Sequence, residues 1–339
     1  MALHINQRWF VGIILLICVV SIPIGLMGRN AGYNHENTSA DFDTDAFTMK
    51  FKDRIQVIRL SGIIADKPES SIFTMGETST NALKQLRKAV KDKHVKGILL
   101  RINSPGGTVP ASQEISDEVL SLKGEGKPIV ASMADLAASG GYYIAAQADK
   151  IVAEPGTLTG SIGVIFSTIN LKGLGTKLGL EPEVVKSGQF KDIGSPYRPM
   201  TKEDRAILQT LIFDSYDQFV SAVAHGRKMP IEIVKKLADG RVYSGRQAVK
   251  LGLVDQLGGY DKSLALLQET CKKQYQNKED FPVEDTSKAS FLAELIESSN
   301  DFVHLFSSKP VQSPQEILEA FIPEFMQAKF HHQLLWIMP

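Results

Sequence analysis

The chain has 339 residues, enough for one or two domains with a full-sized core, and its 38 basic and 38 acidic side chains balance. That balance excludes the basic excess of a nucleic-acid binder. Two cysteines, Cys18 in an apolar N-terminal run and Cys271 far along the chain, exclude a disulfide framework, and no Cys/His cluster has zinc-ligand spacing.

Trp9 to Met27 carries no charge and is long enough to nearly span a bilayer core. No small-x-small cleavage site follows Met27, so the run reads as an uncleaved signal anchor rather than a removed leader. Residues 1–8 then form a cytoplasmic head, and the folded body faces the extracytoplasmic side. Residues 28–52 are small and polar without a period and read as a flexible stalk.

Order is expected from residue 53 to 275. Ile55–Ala65 reads as a strand broken by a turn at Gly62, and Asp66–Thr78 as a loop. Asn81–Lys91 has apolar residues at helical spacing. Gly97–Asn103 reads as a buried strand ending in the turn Ser104-Pro-Gly-Gly107. A helix then starts near Pro110, a good first-turn residue, and runs to Leu122. Pro128–Met133 is the next strand. The alternation argues an α/β fold with parallel pairings and right-handed crossovers. Short strands are expected at Ile151–Ala153, Val164–Phe166 and Glu183–Val185. Helices are expected at Glu203–His225, Ile231–Leu237 and Tyr260–Tyr275, and Gly245–Leu251 leads into Gly252-Leu-Val-Asp. Gly173–Gly179 lacks the dinucleotide fingerprint. Residues 276–339 read as an uneven C-terminal tail with apolar patches.

The chemistry centres on Ala137-Ala-Ser-Gly-Gly-Tyr-Tyr143, where a strand runs into a serine, two glycines and a helical segment. Ser139 sits at that turn, and the glycines allow a sharp bend and close substrate approach. A helix beginning there points free N–H groups at a developing oxyanion. The pattern is one glycine short of Gly-x-Ser-x-Gly, with Ala137 in first place. Such a serine by itself is also compatible with a plain helix cap. A serine nucleophile needs a base. None of the seven histidines lies in a turn beside a strand end. Lysine can serve if burial lowers its pKa from about 10.4 towards neutrality. The segment Val185–Pro196 offers Lys186 and Lys191, and composition does not choose between them.

The segments AASGGYYIA (137–145), LTGSIGV (158–164), KSGQFKDIGSPYRPMT (186–201), RINSPGG (101–107) and GRVYSGRQAVKLGLVDQLGG (240–259) together resemble the signal peptide peptidase SppA family. The likeness runs in order over residues 54–270 and is to the short bacterial form, with one protease domain behind one anchor. It implies a Clp protease/crotonase-like fold of repeated ββα units behind a transmembrane helix. It implies a serine endopeptidase with a Ser–Lys dyad: Ser139 as nucleophile, Lys191 as base, and Ser161 orienting that base. The oxyanion hole maps to the N–H groups of Gly106 and Gly140, with Gly107 less firmly placed. The resemblance further implies a homo-oligomeric ring, eight copies expected, with each dyad shared between neighbours. Its substrates would be signal-peptide remnants and other apolar extended peptides at a bacterial cell membrane, without metal or organic cofactor.

Two other functions use the same fold, a crotonase-type acyl-thioester enzyme and a non-catalytic membrane scaffold. The anchor and the Ser/Lys pair disfavour both. The apolar end His332–Pro339 reads as a packing segment or membrane-surface contact, with docking in a neighbour's groove as the sharper alternative.

Overall fold

The computed structural model describes residues 52–66 and 79–285, together with the backbone of 335–337. The expected anchor at 9–27, the stalk up to residue 51 and most of the tail lie outside the described residues. Among the described residues no helix is long and apolar enough to cross a membrane.

The body is a mixed α/β structure around an eight-stranded, mostly parallel sheet. Strand β1 (Arg54–Ser61) leads to helix α1 (Ser79–Lys91) and back to β2 (Val95–Ser104), parallel to β1. Three residues, Gly106–Thr108, form β3 outside the main sheet. Helix α2 (Val109–Gly124) returns the chain to β4 (Ile129–Ala138), parallel to β2. Strand β4 is long enough to pair twice: Val130–Met133 with β5 (Lys150–Ala153) and Leu136–Ala138 with β6 (Leu158–Gly160). Between them stands the six-residue helix α3 (Gly140–Ala145).

Helix α4 (Lys172–Lys177) lies in an irregular arm. Helices α5 (Lys202–Arg227) and α6 (Ile231–Leu237) follow, then β7 (Val242–Ser244), antiparallel to β6. Helix α7 (Gly245–Lys250), β8 (Gln256–Leu257) and α8 (Tyr260–Tyr275) follow. The sheet continues past the expected boundary at residue 275, because β9 (Val283–Asp285) adds to β1.

Alternate side chains of the strands bury on opposite faces, as a parallel sheet covered on both sides requires. Ile58, Leu60, Ile98, Leu100 and Ile102 join a core with α1, α2 and α3. Ile55, Val57, Leu99, Val130 and Val152 meet Leu267 and Cys271 of α8. Cys271 packs so tightly on Gly97 that a Cβ there would lie 2.6 Å from its Sγ, and burial pushes the thiol pKa up to about 12. This is a packing cysteine rather than a reactive one.

Two expected strands did not form. Glu183–Val185 has no ladder, and Val164–Phe166 has only an isolated bridge residue at Ile165. Apart from Glu183 their residues are apolar, but Ile165, Val184 and Val185 are exposed in the single chain. Their hydrophobicity does not give them a place in this sheet.

Candidate active site

The end of β4 makes the site. Ser139 has φ 51 and ψ −120, a backbone that a non-glycine residue holds only when its surroundings enforce it. The enforcement is visible. The Ser139 N–H donates to Gly160 O at 2.8 Å, and its carbonyl accepts from Tyr143 N–H at 2.8 Å. Tyr142 is fully buried and donates its hydroxyl to Leu253 O at 2.9 Å, which pins the helix that follows. Ser139 is buried, and its Oγ has no hydrogen-bond partner among the described residues. A buried hydroxyl in that state is uncommon and costly.

Ser161 stands next to this turn. It follows Gly160, which pairs with Ala138, and it too has a left-handed backbone, φ 49. Its N–H donates to Arg241 O at 2.9 Å, and the residue is buried.

The glycines pack backbone on backbone. A Cβ on Gly140 would meet Ser112 Oγ at 2.3 Å and Gly107 N at 3.2 Å. One on Gly107 would meet Ile64 O at 1.7 Å. The Gly106 amide, at φ 102, is already engaged, donating to Ser104 Oγ at 3.1 Å. Ser104 in turn donates to Gly62 O at 2.6 Å. Strand β3 is bonded to Ile64 through Gly106 O and Thr108 N, so alternation turns the Gly107 N–H and C=O to its other edge. That edge carries a peptide. Leu335–Ile337 forms β10, antiparallel to β3, with Trp336 opposite Gly107. The tail thus runs over the glycine strand of its own chain.

Lys191 is elsewhere. It lies in the irregular arm, exposed, and is not a hydrogen-bond partner of Ser139 Oγ. Among the described residues Lys191 makes no hydrogen bond to Ser139. The arm also distinguishes the two lysines. Lys186 Nζ donates to Asp192 Oδ1 at 2.8 Å and to Gln189 O at 3.0 Å. Among the described residues Lys191 has no ion pair.

Asp192 also takes a two-pronged grip from Arg198, with Nε to Oδ2 at 2.9 Å and Nη2 to Oδ1 at 3.0 Å. The other side of the same guanidinium holds buried Asp204, through Nη1 to Oδ2 and Nη2 to Oδ1 at 3.2 Å. Asp204 caps α5 reciprocally with Thr201. The hydrogen bonds from Arg198 hold both carboxyls well below the usual carboxylate range. Sequence reasoning missed Ser104, Ser112 and this ion-pair chain, although Asp192, Arg198 and Thr201 all fall within the quoted motif.

Comparison with known proteins decides the family. Residues 121–274 match the model of peptidase family S49. A protein of Enterococcus faecium bearing the name signal peptide peptidase SppA is 45% identical over 285 residues, which cover 79% of this chain and 82% of the relative. The chain belongs to the signal peptide peptidase SppA family, peptidase family S49. Protease 4 of Salmonella typhi is 40% identical over 219 residues, 64% of this chain and 35% of that protein. The chloroplastic serine protease SPPA of Arabidopsis thaliana is 35% identical over 221 residues, 64% of this chain and 32% of that protein. This SppA-family chain is therefore a serine protease, on a mixed α/β fold with a parallel-rich sheet.

Proposed function

We propose that the protein is a membrane-anchored endopeptidase that cleaves apolar extended peptides, signal-peptide remnants among them, with Ser139 as nucleophile and Lys191 of a neighbouring copy as base. The supporting observation is the buried Ser139 hydroxyl, held on a strained turn without a hydrogen-bond partner while Lys191 stands exposed on the arm. A serine needs a base within hydrogen-bond reach. The arm that carries Lys191 also exposes Ile169, Leu174, Leu178, Leu180 and Val185. A second copy covering that surface would bring a lysine to the serine and remove both from water. A closed ring follows if the contact repeats, eight copies being the number expected from the family.

The chemistry then runs in two halves. Ser139 Oγ attacks the peptide carbonyl while its proton passes to neutral Lys191. The oxyanion is held by the Gly140 amide and, in this reading, the Gly107 amide, since Gly106 already serves Ser104. The lysine proton goes to the departing amine, and water then hydrolyses the acyl-serine. Ser161 orients the lysine. The substrate strand adds antiparallel to β3 as Leu335–Ile337 does, so main-chain bonds supply affinity and alternate side chains supply preference. The uncharged run Trp9–Met27 is the anchor, with residues 28–52 as stalk and the protease body on the extracytoplasmic side of a bacterial cell membrane.

The test is peptide cleavage by the full-length chain carrying Ser139→Ala or Lys191→Ala. Both abolish turnover, and only Ser139→Ala removes covalent labelling by a serine-directed acylating probe at saturating dose. Full cleavage by the Lys191→Ala protein would sink the assignment of the base.

A further inference from the structure

A lysine base has to shed its proton, and Lys191 is followed directly by a carboxylate. Asp192 remains an anion throughout the working pH range, because Arg198 and then Lys186 hold it well below the usual carboxylate range. A free carboxylate within ~4–6 Å stabilises a lysine ammonium and so opposes base function. In this structure the Asp192 carboxylate is not free.

We propose that Arg198 is a positioning residue for the Lys191 base: it turns the Asp192 carboxylate away from Lys191 and fastens the arm to buried Asp204. The inference rests on the reading of Lys191 as base.

The geometry has three parts. Arg198 grips both Asp192 oxygens, at 2.9 and 3.0 Å, and Lys186 adds a third contact at 2.8 Å. Asp192 therefore faces two cations before Lys191 is counted. The far side of the guanidinium is fixed to Asp204, whose side chain is 2% exposed and whose oxygens also receive the Thr201 N–H at 3.0 Å. The arm segment between is held by short-range turns, with Lys191 N–H to Gly188 O at 3.2 Å and Ser195 N–H to Asp192 O at 3.0 Å, and by Thr168 Oγ1–H to Gly194 O at 2.8 Å and Leu171 N–H to Pro196 O at 2.6 Å within the same arm. Those bonds all lie within the arm, and the ion-pair chain ties it to the first turn of a 26-residue helix. The charged groups about Asp192 are Lys186 from its own segment and Arg198, with Asp204 and Arg205 of α5 beyond them, Arg205 lining the same recess as Arg198. Guanidinium suits this task better than ammonium, because its planar fork serves two carboxylates at once.

The experiment is the pH dependence of kcat/KM for an apolar fluorogenic peptide, using the full chain in detergent micelles. In Arg198→Met the acid limb moves to higher pH by about one unit and the rate on that limb falls about tenfold. Adding Asp192→Asn to Arg198→Met returns the limb to its wild-type position, because the released carboxylate is gone. Arg198→Lys keeps the charge but loses the fork; it shifts the limb in the same direction and serves if Arg198→Met fails to fold. A loss of rate with the limb unmoved in both Arg198 variants gives Arg198 a merely structural role and overturns the inference. Lys191→Met is measured alongside. If it cleaves normally, the base assignment has failed; if it is inactive while the limb stays unmoved, only the Arg198 inference has failed.

Discussion

The Ser139 N–H donates to the carbonyl of Gly160 at 2.8 Å, and this bond sets two serines with left-handed backbones, 139 and 161, side by side at the ends of adjacent parallel strands. The contact is made by main chain alone. Ser161→Ala therefore leaves the Ser139 turn and the thermal stability intact. It lowers kcat/KM by about 100-fold through a misoriented base. Unchanged turnover in Ser161→Ala would remove Ser161 from the mechanism.

Gly140 has no room for a side chain. Gly140→Ala places a methyl 2.3 Å from Ser112 Oγ and 3.2 Å from the Gly107 amide, which pushes apart the two N–H groups assigned to the oxyanion. Loss of one such donor costs on the order of 100- to 1000-fold in kcat. Ser112→Ala in the same chain removes the nearer clash and recovers part of the rate. Steady-state kinetics on the single and double variants check this, and no recovery would contradict the packing account.

The strand-to-helix turn at Ser139 was legible in the sequence because strand, serine, glycines and helix are contiguous there, and each demands its neighbour. So were β1, β2 and β4, whose runs of buried residues are long enough to show their pattern. Strands β6, β7 and β8 were not seen, being two or three residues long and defined only by what lies beside them. Strand β9 was missed for a different reason. Val-Glu-Asp is polar, and it joins the sheet edge with the ion pairs Arg54–Glu284 at 2.6 Å and Arg59–Asp285 at 2.7 Å. Val184 and Val185 misled because their apolar side chains are exposed and belong to no core among the described residues. Lys186 and Lys191 could not be told apart locally, since the difference is which of them Asp192 binds. The one-residue shift from Gly106 to Gly107 in the proposed oxyanion hole depends on a hydrogen bond to Ser104 that no residue pattern announces.

Strand β10 covers the edge of β3 where a substrate is proposed to lie. Removing residues 330–339 opens that edge. The truncated protein cleaves short peptides several-fold faster at low substrate concentration and takes up a serine-directed probe faster. Unchanged turnover and probe uptake would mean that the tail is a packing segment and no competitor.

Asp204 gives a pH-dependent signature in stability. Its carboxyl is depressed first by the Arg198 hydrogen bonds and then by the Thr201 backbone N–H. A depressed carboxyl contributes stability that is fully present above its unfolded pKa of about 3.9 and is lost as pH falls through the lower folded value. The Tm difference between wild type and Asp204→Asn is therefore constant at neutral pH and closes progressively below about pH 4. Calorimetry over that range checks it, and a difference that widens on acidification would contradict the ion-pair assignment.

The central claim is that serine and lysine meet between copies of the chain. The most direct measurement mixes two inactive full-length proteins, Ser139→Ala and Lys191→Ala, by dissociating and reassembling them together in detergent. A site shared between neighbours regains Ser139 from one parent and Lys191 from the other, so equal random mixing restores roughly a quarter of wild-type activity. A mixture that assembles but stays as inactive as its parents would place the base within the same chain, or elsewhere, and contradict the account.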